Sequence, residues 1–458
     1  MAILNVQINR SQIATGVGTV LSHIINLTAE NNNVCYKRTT LFVIIKHYFI
    51  FACKIQKMKS QELIASVIDA QQSEIEKRPL GLTREIIDTV PSIENFATIL
   101  TGIRRCGKST LMLQILKKTT GKMLFLNFED IRLSGFETSD FVRLNAEIEK
   151  RNVRILFFDE IQMADKWEIF IHQKLNEGYL VYISGSNASM LSRELGTHLT
   201  GRHLSMELYP FSYPEFLAFN NLENTVVSFD DYLQTGGMPD FVKHRSASIL
   251  LNLLDDILYR DIAVRHNIRN VNGLRELTVY LLSNIGRPVS ARRLTGLFGI
   301  TATSTITEYF SHVSNSYLVD FVPQFDYSIK AQSRNPKKVY AIDPGIYNQA
   351  KTAFSDDSGR QLENAVFLYL RRRYRDIFFF SKQGECDFVV MEKGKAVACI
   401  QVCWQVDDMN MKREISGLKT ALDYFGLQEG IIVTHDQSDL FEVDGTTIKV
   451  VPAREFMA

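Results

Sequence analysis

A glycine-bearing segment in the first quarter of the chain has the residue types and spacing needed to hold a phosphate group. The pattern G-x-x-x-x-G-K-[ST] is matched at every fixed position by Gly102, Ile103, Arg104, Arg105, Cys106, Gly107, Lys108 and Ser109, and Thr110 follows them. Glycine lets such a loop fold tightly, so that successive backbone N–H groups point at phosphate oxygens. We predict that these residues form an ATP site, with the Lys108 ammonium on the β- and γ-phosphates and the Ser109 hydroxyl on Mg²⁺.

Two adjacent carboxylates follow an apolar run further along the chain. The run 155–158 (ILFF) leads directly into Asp159 and Glu160. A strand that is buried on both faces has no reason to end in acids unless that edge of the sheet carries a site, which is where α/β sheets place ligands. We expect Asp159 to hold Mg²⁺ and Glu160 to orient or deprotonate the water that attacks the γ-phosphate.

Two further polar residues are candidates for the same chemistry. Asn187 ends the segment Ser-Gly-Ser-Asn after the apolar run 179–183, where it could hydrogen-bond the γ-phosphate or the attacking water. Such small polar clusters are also common in turns. Arg202 follows Gly201 and could stabilise charge in the transition state, in its own chain or on a neighbouring subunit. An ordinary surface arginine is the alternative interpretation.

The elements that must position these side chains are visible in the hydrophobic pattern. Short apolar runs alternate with helical patterns, as expected of parallel strands covered on both faces; the runs are 98–100, 123–128, 154–158, 179–183 and 203–208. The glycine-bearing loop follows the first run and opens a leucine-rich helix at 109–118. The sequence therefore predicts an α/β fold with a parallel sheet and a phosphate site at one edge.

The motifs follow one another in a specific order. They are GIRRCGKST (102–110), LNFED (126–130), ILFFDEIQ (155–162), ISGSN (183–187), the pair 201–202, LYPFSYPEF (208–216), GGMP (236–239) and YAID (340–343). In this order the chain resembles bacterial and archaeal AAA+-type ATPases that carry a C-terminal domain of unknown function, from about Met58 to the C-terminus. The resemblance implies a five-stranded AAA+ core that requires ATP and Mg²⁺. It also implies the roles given above to Lys108, Ser109, Asp159 and Glu160.

The middle of the chain has the pattern of a winged helix. Helical patterns at 274–285, 290–297 and 301–313 precede short strands at 317–325 and 338–342. No lysine or arginine occurs from 294 to 329, although DNA binding needs cations on the phosphates. The nearest cations are Arg292, Arg293, Lys330, Arg334, Lys337 and Lys338. The module therefore either contacts DNA through these flanking residues or serves as a protein-docking domain.

The last hundred residues resemble a restriction-endonuclease fold. Glu363 lies on a helical pattern, Asp387 enters an apolar strand, and Gln401 and Cys403 lie on the next strand, where active enzymes have an acid or glutamine and a lysine. A neutral amide holds a divalent ion weakly, and a cysteine cannot stabilise developing negative charge. We expect a degenerate site that does not cut DNA. The arginines at 371–373 and 375 form either a solvated helix face or a phosphate contact.

Composition limits the class of protein. The 458 residues carry 52 Lys plus Arg and 51 Asp plus Glu, which excludes a generally basic nucleic-acid coat protein. Six scattered cysteines without paired spacing indicate reduced thiols and a cytoplasmic protein. The apolar run 41–53 is too short to span a membrane, so no membrane partner is expected.

The chain divides into five predicted segments. Residues 1–57 are expected to form an extension, which a translation start at Met58 would explain. The remaining segments are an ATPase core at 58–218, a helical linker at 219–272, a winged helix at 273–345 and a nuclease-like domain at 358–458.

These observations predict an ATP hydrolase that uses Mg²⁺ to drive conformational change. Nucleic acid or a partner protein is the expected object of that change, and the chain could also form a homo-oligomer. A switch that holds ATP and seldom turns it over is one alternative, because a bound state can signal by itself. An ATP-licensed nuclease is the other.

Overall fold

The computed structural model describes residues 59–185, 201–351, 358–382 and 384–458. All elements below belong to the unit Ser60–Ala458. The predicted extension 1–57 and the candidate Asn187 lie outside the described residues. None of the helices in the described ranges is both long and apolar enough to cross a bilayer.

The first described helix forms where its apolar spacing predicts. Helix α1 (Gln61–Lys77) begins after Ser60, whose hydroxyl accepts a hydrogen bond from the Leu63 N–H at 3.1 Å. Such a cap satisfies a donor that a helix start otherwise leaves unpaired. Ile64 and Val67 on one face of α1 are buried against the strand that follows the phosphate-loop helix.

Five short strands form a parallel sheet. They are β1 (Ala97–Thr101), β2 (Met123–Asn127), β3 (Ile155–Asp159), β4 (Leu180–Ser184) and β5 (His203–Glu207), in the spatial order β2-β3-β4-β1-β5. Helices α2 (Lys108–Lys118), α3 (Asp140–Lys150) and α4 (Trp167–Asn176) connect them, with 3₁₀ turns at Glu85–Thr89, Ile131–Leu133 and Ile161–Met163. Side chains of β1 and β3 alternate between two apolar clusters, so both faces of the sheet are covered. The predicted α/β class and parallel core are confirmed.

The register of these strands brings their carboxyl ends to one edge. Asn127 at the end of β2 lies opposite Asp159 at the end of β3. Ser184 at the end of β4 lies opposite Leu100 of β1, one residue before β1 ends. Asn127, Asp159 and Ser184, which end β2, β3 and β4, therefore lie close together beside the loop that follows β1.

A helical segment follows the sheet. It comprises α5 (Tyr213–Asn220), α6 (Val226–Thr235), α7 (Pro239–His244), α8 (Ala247–Asp256) and a π-helix (Ile257–Val264) that continues α8 without a break. Helix α5 begins with a capping box, in which the side chains of Ser212 and Glu215 each bond the backbone N–H of the other.

Residues 271–341, here called the middle region, contain four helices and a small antiparallel sheet. The elements are α9 (Val271–Ser283), β6 (Pro288–Val289), α10 (Ala291–Leu294), α11 (Thr303–Asn315), β7 (Val319–Pro323), α12 (Ile329–Arg334) and β8 (Lys337–Ala341), and the strand order is β6-β8-β7. The predicted order of three helices followed by strands is present, but the structure adds β6 before α10 and α12 between β7 and β8. The winged helix stays a prediction. The second helix is a single turn, shorter than predicted, because Gly296, Phe298 and Gly299 all have positive φ.

The C-terminal region holds a six-stranded mixed sheet. Helices α13 (Pro344–Ala350) and α14 (Ser358–Arg371) precede β9 (Asp376–Ser381), β10 (Glu385–Glu392) and β11 (Lys395–Val402). Then come α15 (Met411–Phe425), β12 (Glu429–Thr434), β13 (Asp439–Val443), β14 (Thr446–Pro452) and α16 (Ala453–Phe456), with the strand order β13-β14-β12-β11-β10-β9. The pairs β11–β12 and β12–β14 are parallel, and the others are antiparallel.

The sequence motifs GGMP and YAID meet at one buried junction. The Asp343 carboxylate is fully buried and accepts hydrogen bonds from the backbone N–H groups of Gly237 (2.6 Å) and Ile346 (3.1 Å). Burial raises the pKa of Asp343 to about 6, although these N–H groups favour the charged form. Gly237 in turn accepts a hydrogen bond from the Phe211 N–H at 2.7 Å, so the backbone segments pack in direct contact.

A side chain at position 237 should therefore destabilise the fold. A Cβ on Gly237 would lie 2.2 Å from the Phe211 carbonyl oxygen. Because this oxygen belongs to the backbone, the chain itself would have to shift to make room. We expect Gly237→Ala to lower the free energy of unfolding by about 2 kcal/mol or more, measured by thermal melting. Gly359→Ala is the matched control, because no atom lies within 4 Å of its Cβ position. Equal melting temperatures for the two variants would contradict the junction described here.

Candidate nucleotide site

The phosphate loop lies between β1 and α2, where its sequence requires it. Gly102 follows β1 with a φ of 135°, and α2 begins at Lys108 directly after Gly107. A Cβ on Gly102 would lie 2.2 Å from the carbonyl oxygen of Leu208, so only glycine fits. The backbone N–H groups of the loop and of the first turn of α2 lie at the N-terminus of that helix. The positive end of the helix dipole attracts anions there.

The Lys108 side chain is buried inside this loop. Its ammonium donates hydrogen bonds to the carbonyl oxygens of Gly102 (3.0 Å) and Ile103 (2.9 Å). These bonds fold the loop around the ammonium and hold its charge at the concave side of the turn. The geometry suits a lysine that binds phosphate oxygens from within the loop.

Asp159 lies where β3 ends and is almost fully buried. Its carboxylate accepts hydrogen bonds from the Ser184 hydroxyl and from the Asn127 side-chain amide at 3.1 Å, and the Ser109 hydroxyl lies close enough to lower the pKa of Asp159. Burial raises the pKa of Asp159, and the charge of Glu160 acts in the same direction, whereas the hydroxyl donors and Lys108 lower it. The structure thus brings together the two residues predicted to hold Mg²⁺, Ser109 and Asp159.

These two oxygen ligands fit Mg²⁺ in a particular way. Among the described residues, no group of three or more His, Cys, Asp or Glu side chains is placed to hold a metal ion. Mg²⁺ is commonly held by one or two protein oxygens, with substrate phosphates and water completing its octahedron. The donor set therefore suits a Mg²⁺ that arrives with a nucleotide, and does not suit a permanent protein cage.

Glu160 follows Asp159 in a left-handed backbone conformation. Its φ is 49°, which is uncommon for residues other than glycine, asparagine and aspartate and marks the turn that ends β3. The Glu160 N–H donates to the Ser184 hydroxyl at 3.3 Å, and the Gln162 side-chain amide donates to the Glu160 carboxylate. Ser184 therefore holds the Asp159 carboxylate and the Glu160 backbone, and Gln162 holds the Glu160 carboxylate.

Ser184 and Asn127 are supporting residues that sequence reasoning missed. Ser184 lies in the motif ISGSN, which also contains the catalytic candidate Asn187, and Asn127 lies in the motif LNFED. Each lies at the carboxyl end of its own strand, opposite or beside Asp159. A rule that every polar residue ending a strand of a parallel sheet faces the site would have found both.

Arg84, a further residue that the sequence did not reveal, holds the other side of the loop. Its guanidinium is buried and donates to the carbonyl oxygens of Cys106 (3.0 Å) and Tyr209 (2.7 Å). It also forms two hydrogen bonds with the Glu215 carboxylate, at 2.8 and 2.9 Å. Burial alone would raise the pKa of Glu215, but Arg84 outweighs it and the pKa is lowered. Nothing in the polar stretch around Arg84 signals this role in the sequence.

The two loop arginines predicted to bind ATP point to the helical segment. Arg104 forms two hydrogen bonds with the Asp261 carboxylate of the π-helix, at 2.9 and 3.0 Å. Arg105 lies 4.0 Å from Asp256 at the end of α8. Hydrogen bonding to Asp261 raises the pKa of Arg104, and the negative charge of Glu160 contributes to this rise.

Arg202 lies at the opposite edge of the sheet from the phosphate loop. The parallel register pairs His203 with Ala97, the first residue of β1, and the Arg202 carbonyl accepts the Ala97 N–H at 3.1 Å. Five residues of strand, about 16 Å, therefore separate Arg202 from the loop. Its guanidinium donates to the His172 ring at 2.7 Å. The separation between Arg202 and the loop argues against the role within its own chain, and the role on a neighbouring subunit stays a prediction.

The structure also brings together three of the four nuclease-like residues. Glu363 of α14, Asp387 of β10 and Gln401 of β11 lie around one point, where the Asp387 N–H donates to the Gln401 amide oxygen at 3.1 Å. The Gln401 amide nitrogen donates to Glu414 at 2.7 Å, so this side chain is held within the protein. Cys403 lies two residues further along the chain, and burial raises the pKa of its thiol to about 12.

A lysine from the middle region fills the space between these carboxylates. The buried Lys338 ammonium lies 2.7 Å from Asp387 and 3.2 Å from both Glu363 and Glu385. Burial raises the pKa of Glu363 to about 7, and the Tyr340 hydroxyl donates to it at 2.6 Å. The sequence interpretation of Lys338 as a cation available to DNA is wrong, because its side chain is only 3% exposed.

Two arginines of the run at 371–373 also bond within the chain. Arg371 donates to Asp320 of β7 at 2.9 Å and lies 3.7 Å from Glu207 at the end of β5. Arg372 donates to the Pro210 carbonyl at 3.0 Å. Both sequence interpretations, a solvated face and a phosphate contact, are therefore wrong for these two residues. They join the C-terminal helix α14 to the nucleotide core instead.

Comparison with known proteins agrees with this architecture. The AAA domain family profile matches residues 94–217, and a domain of unknown function (DUF8612) matches residues 226–357. An uncharacterised protein of Methanocaldococcus jannaschii is 30% identical over 397 residues, covering 81% of this chain and 88% of its own. An uncharacterised protein of Haemophilus influenzae is 26% identical over 376 residues, covering 77% and 92%.

Among solved structures, a Walker-type ATPase of Pyrococcus abyssi is similar to part of the chain. It is 14% identical with a TM-score of 0.40, and the match covers 60% of this chain and 99% of that one. The two profiles and the archaeal relative cover the phosphate loop, the strand-end carboxylates and the regions that follow them. The chain thus belongs to the AAA+-type P-loop ATPase family in which the nucleotide core is followed by a domain of unknown function.

Proposed function

We propose that this protein binds ATP and hydrolyses it in the presence of Mg²⁺. The observation that carries the proposal is the buried Lys108 ammonium inside the loop, together with the buried Asp159 carboxylate held at the end of β3 by Ser184 and Asn127 and close to Ser109. Ser109 and Asp159 would hold Mg²⁺, which when bound neutralises charge on the phosphates. Glu160, held by Ser184 and Gln162, orients or deprotonates the attacking water.

The energy of hydrolysis is proposed to drive conformational change that acts on nucleic acid or a partner protein. Of the six flanking cations singled out in the sequence, four remain exposed and could contact DNA phosphates: Arg292, Arg293, Lys330 and Arg334. The third helix, α11, carries no lysine or arginine, which equally suits protein docking. Arg202 would serve a neighbouring subunit if the protein forms a homo-oligomer. The described cysteines are free thiols, which supports a reducing, cytoplasmic location.

The nuclease-like site is proposed to be a docking contact without DNA cleavage. A catalytic divalent ion needs carboxylates that are open to solvent and DNA, but Glu363 and Asp387 surround a buried ammonium. Gln401 is committed to Asp387 and Glu414. The position that an ion would need is therefore next to a positive charge, which argues against the ATP-licensed nuclease.

Removing the loop lysine should abolish nucleotide binding. Lys108→Ala deletes the ammonium that binds phosphate and leaves the Gly102 and Ile103 carbonyls without their donor. We expect no detectable binding of a fluorescent ATP analogue. Lys118→Ala, which removes an exposed lysine on the same helix, should bind like the wild type. Equal affinity in the two variants would refute the site.

Removing the charge of the second carboxylate should separate binding from hydrolysis. Glu160→Gln keeps the side-chain shape but loses the base, so we expect nearly unchanged ATP affinity and a turnover lowered about 100-fold or more. Phosphate release under steady-state conditions, with and without DNA, measures this. Glu74→Gln on α1 is the exposed control. Turnover at the wild-type rate would show that Glu160 is not the base, and a wild type that retains ATP without turnover would instead be a switch.

Removing the buried lysine should cost stability without producing a nuclease. Lys338→Met leaves buried carboxylates without their cation, which we expect to lower the free energy of unfolding by about 3 kcal/mol. The neighbouring Lys337→Met, which is only half-buried, serves as the control for melting temperature. Wild-type protein should leave plasmid and linear DNA intact with ATP and either Mg²⁺ or Mn²⁺. Cleavage that disappears in Asp387→Ala would overturn the docking interpretation.

A further inference from the structure

The phosphate loop is tied to the helical segment by a pair of charges with specific geometry. Arg104 and Asp261 bond side by side, through Nε to one carboxylate oxygen and Nη2 to the other, at 2.9 and 3.0 Å. Two parallel bonds of this kind fix the orientation of both groups and are stronger than a single ionic contact. Asp261 is buried and Arg104 is 20% exposed, so water screens the pair only in part.

The position of Arg104 in the loop makes this pair sensitive to the nucleotide. Its neighbour Ile103 accepts a hydrogen bond from Lys108, and the Cys106 carbonyl on the other side is held by Arg84. Arg104 also lies 3.8 Å from Glu129, and the charge of Glu160 reaches it. A triphosphate in the loop adds negative charge next to the same guanidinium and so changes how strongly Arg104 holds Asp261.

The partner residue lies on an irregular helix that reaches the middle region. The π-helix Ile257–Val264 packs against α9 and α11, and its apolar residues Leu258 and Ile262 belong to the same buried cluster as Ile306 and Val313 of α11. Just beyond the π-helix, the rings of His266 and His312 stack with centroids 3.7 Å apart. π-helices are rare and occur mostly at functional sites, where the wider turn alters the direction of side chains.

We propose that Asp261 is a positioning residue for the phosphate loop, and that its bond to Arg104 transmits nucleotide occupancy to α11. The inference rests on the proposed ATP binding and names the route by which that binding reaches the rest of the protein. The effect runs in both directions, because a pair that links two sites couples them reciprocally. Whatever contacts α11 should therefore also change the affinity for ATP.

The variant Asp261→Asn tests this route in the full chain. It keeps the size of the side chain but removes the charge that holds Arg104. We expect the affinity for ATP to fall about fivefold or more. We also expect ATP to change amide hydrogen exchange of residues 257–264 and 303–315 in the wild type, and this response to be lost at 303–315 in the variant. The change in hydrogen exchange at 303–315 is the decisive measurement. If the Arg104–Asp261 pair only stabilised the fold, Asp261→Asn would lower the melting temperature, but ATP would still change exchange at 303–315.

Two further variants, at Asp255 and Arg104, separate the proposed route from a general loss of charge or of folding. Asp255→Asn breaks an exposed pair with Arg275 on the neighbouring turn, and both its affinity and its exchange response should match the wild type. If Asp261→Asn does not fold, Arg104→Lys decides instead, because lysine keeps the charge but cannot form the two-point contact. A wild-type affinity and response in the variant would overturn the inference. Failure of the wild type itself to bind ATP would refute the proposed function, and the two failures are thus distinguishable.

Discussion

The phosphate loop keeps its shape because two buried cations bond the carbonyl groups that its own fold turns inward. A loop that points successive N–H groups at a ligand must turn carbonyl oxygens toward the protein, where each unpaired group would cost about 1–3 kcal/mol. Lys108 bonds those of Gly102 and Ile103, and Arg84 bonds that of Cys106. Glu215 neutralises Arg84 in turn, so the segment after β5 becomes part of the nucleotide site. The loop is thereby organised before any phosphate arrives.

The same use of charge joins the other regions of the chain. Arg371 of α14 bonds Asp320 of the middle region and approaches Glu207 of the core, and Lys338 bonds Asp387 of the C-terminal sheet. A buried pair such as Lys338–Asp387 adds little net stability, but removing one partner is costly, so it can select one docking arrangement. A nearly neutral composition is consistent with this, because many cations find carboxylates within the chain. It also explains why Lys338, Arg371 and Arg372 are bonded within the chain, although their charge suggested contact with nucleic acid.

Much of the nucleotide site follows from local pattern and one rule of sheet geometry. The glycine-lysine loop, the run that ends at Asp159 and the alternation of strands and helices predict a site at the carboxyl edge of a parallel sheet. Ser184 and Asn127 obey the same rule, because each ends a strand next to β3. Arg202 does not, since it precedes its strand and a parallel strand begins at the far edge.

By itself, the sequence determined what depends on neighbours along the chain: the phosphate loop, the buried strands and the amphipathic helices. The tertiary structure alone decided which charges meet. Arg84 and Glu215 are 131 residues apart, Arg104 and Asp261 are 157 apart, and Lys338 and Asp387 are 49 apart. A charged residue looks the same in a sequence whether it is solvated or buried against a distant partner. Its role depends on the water removed and the opposite charge supplied by packing, and neither has a local signature.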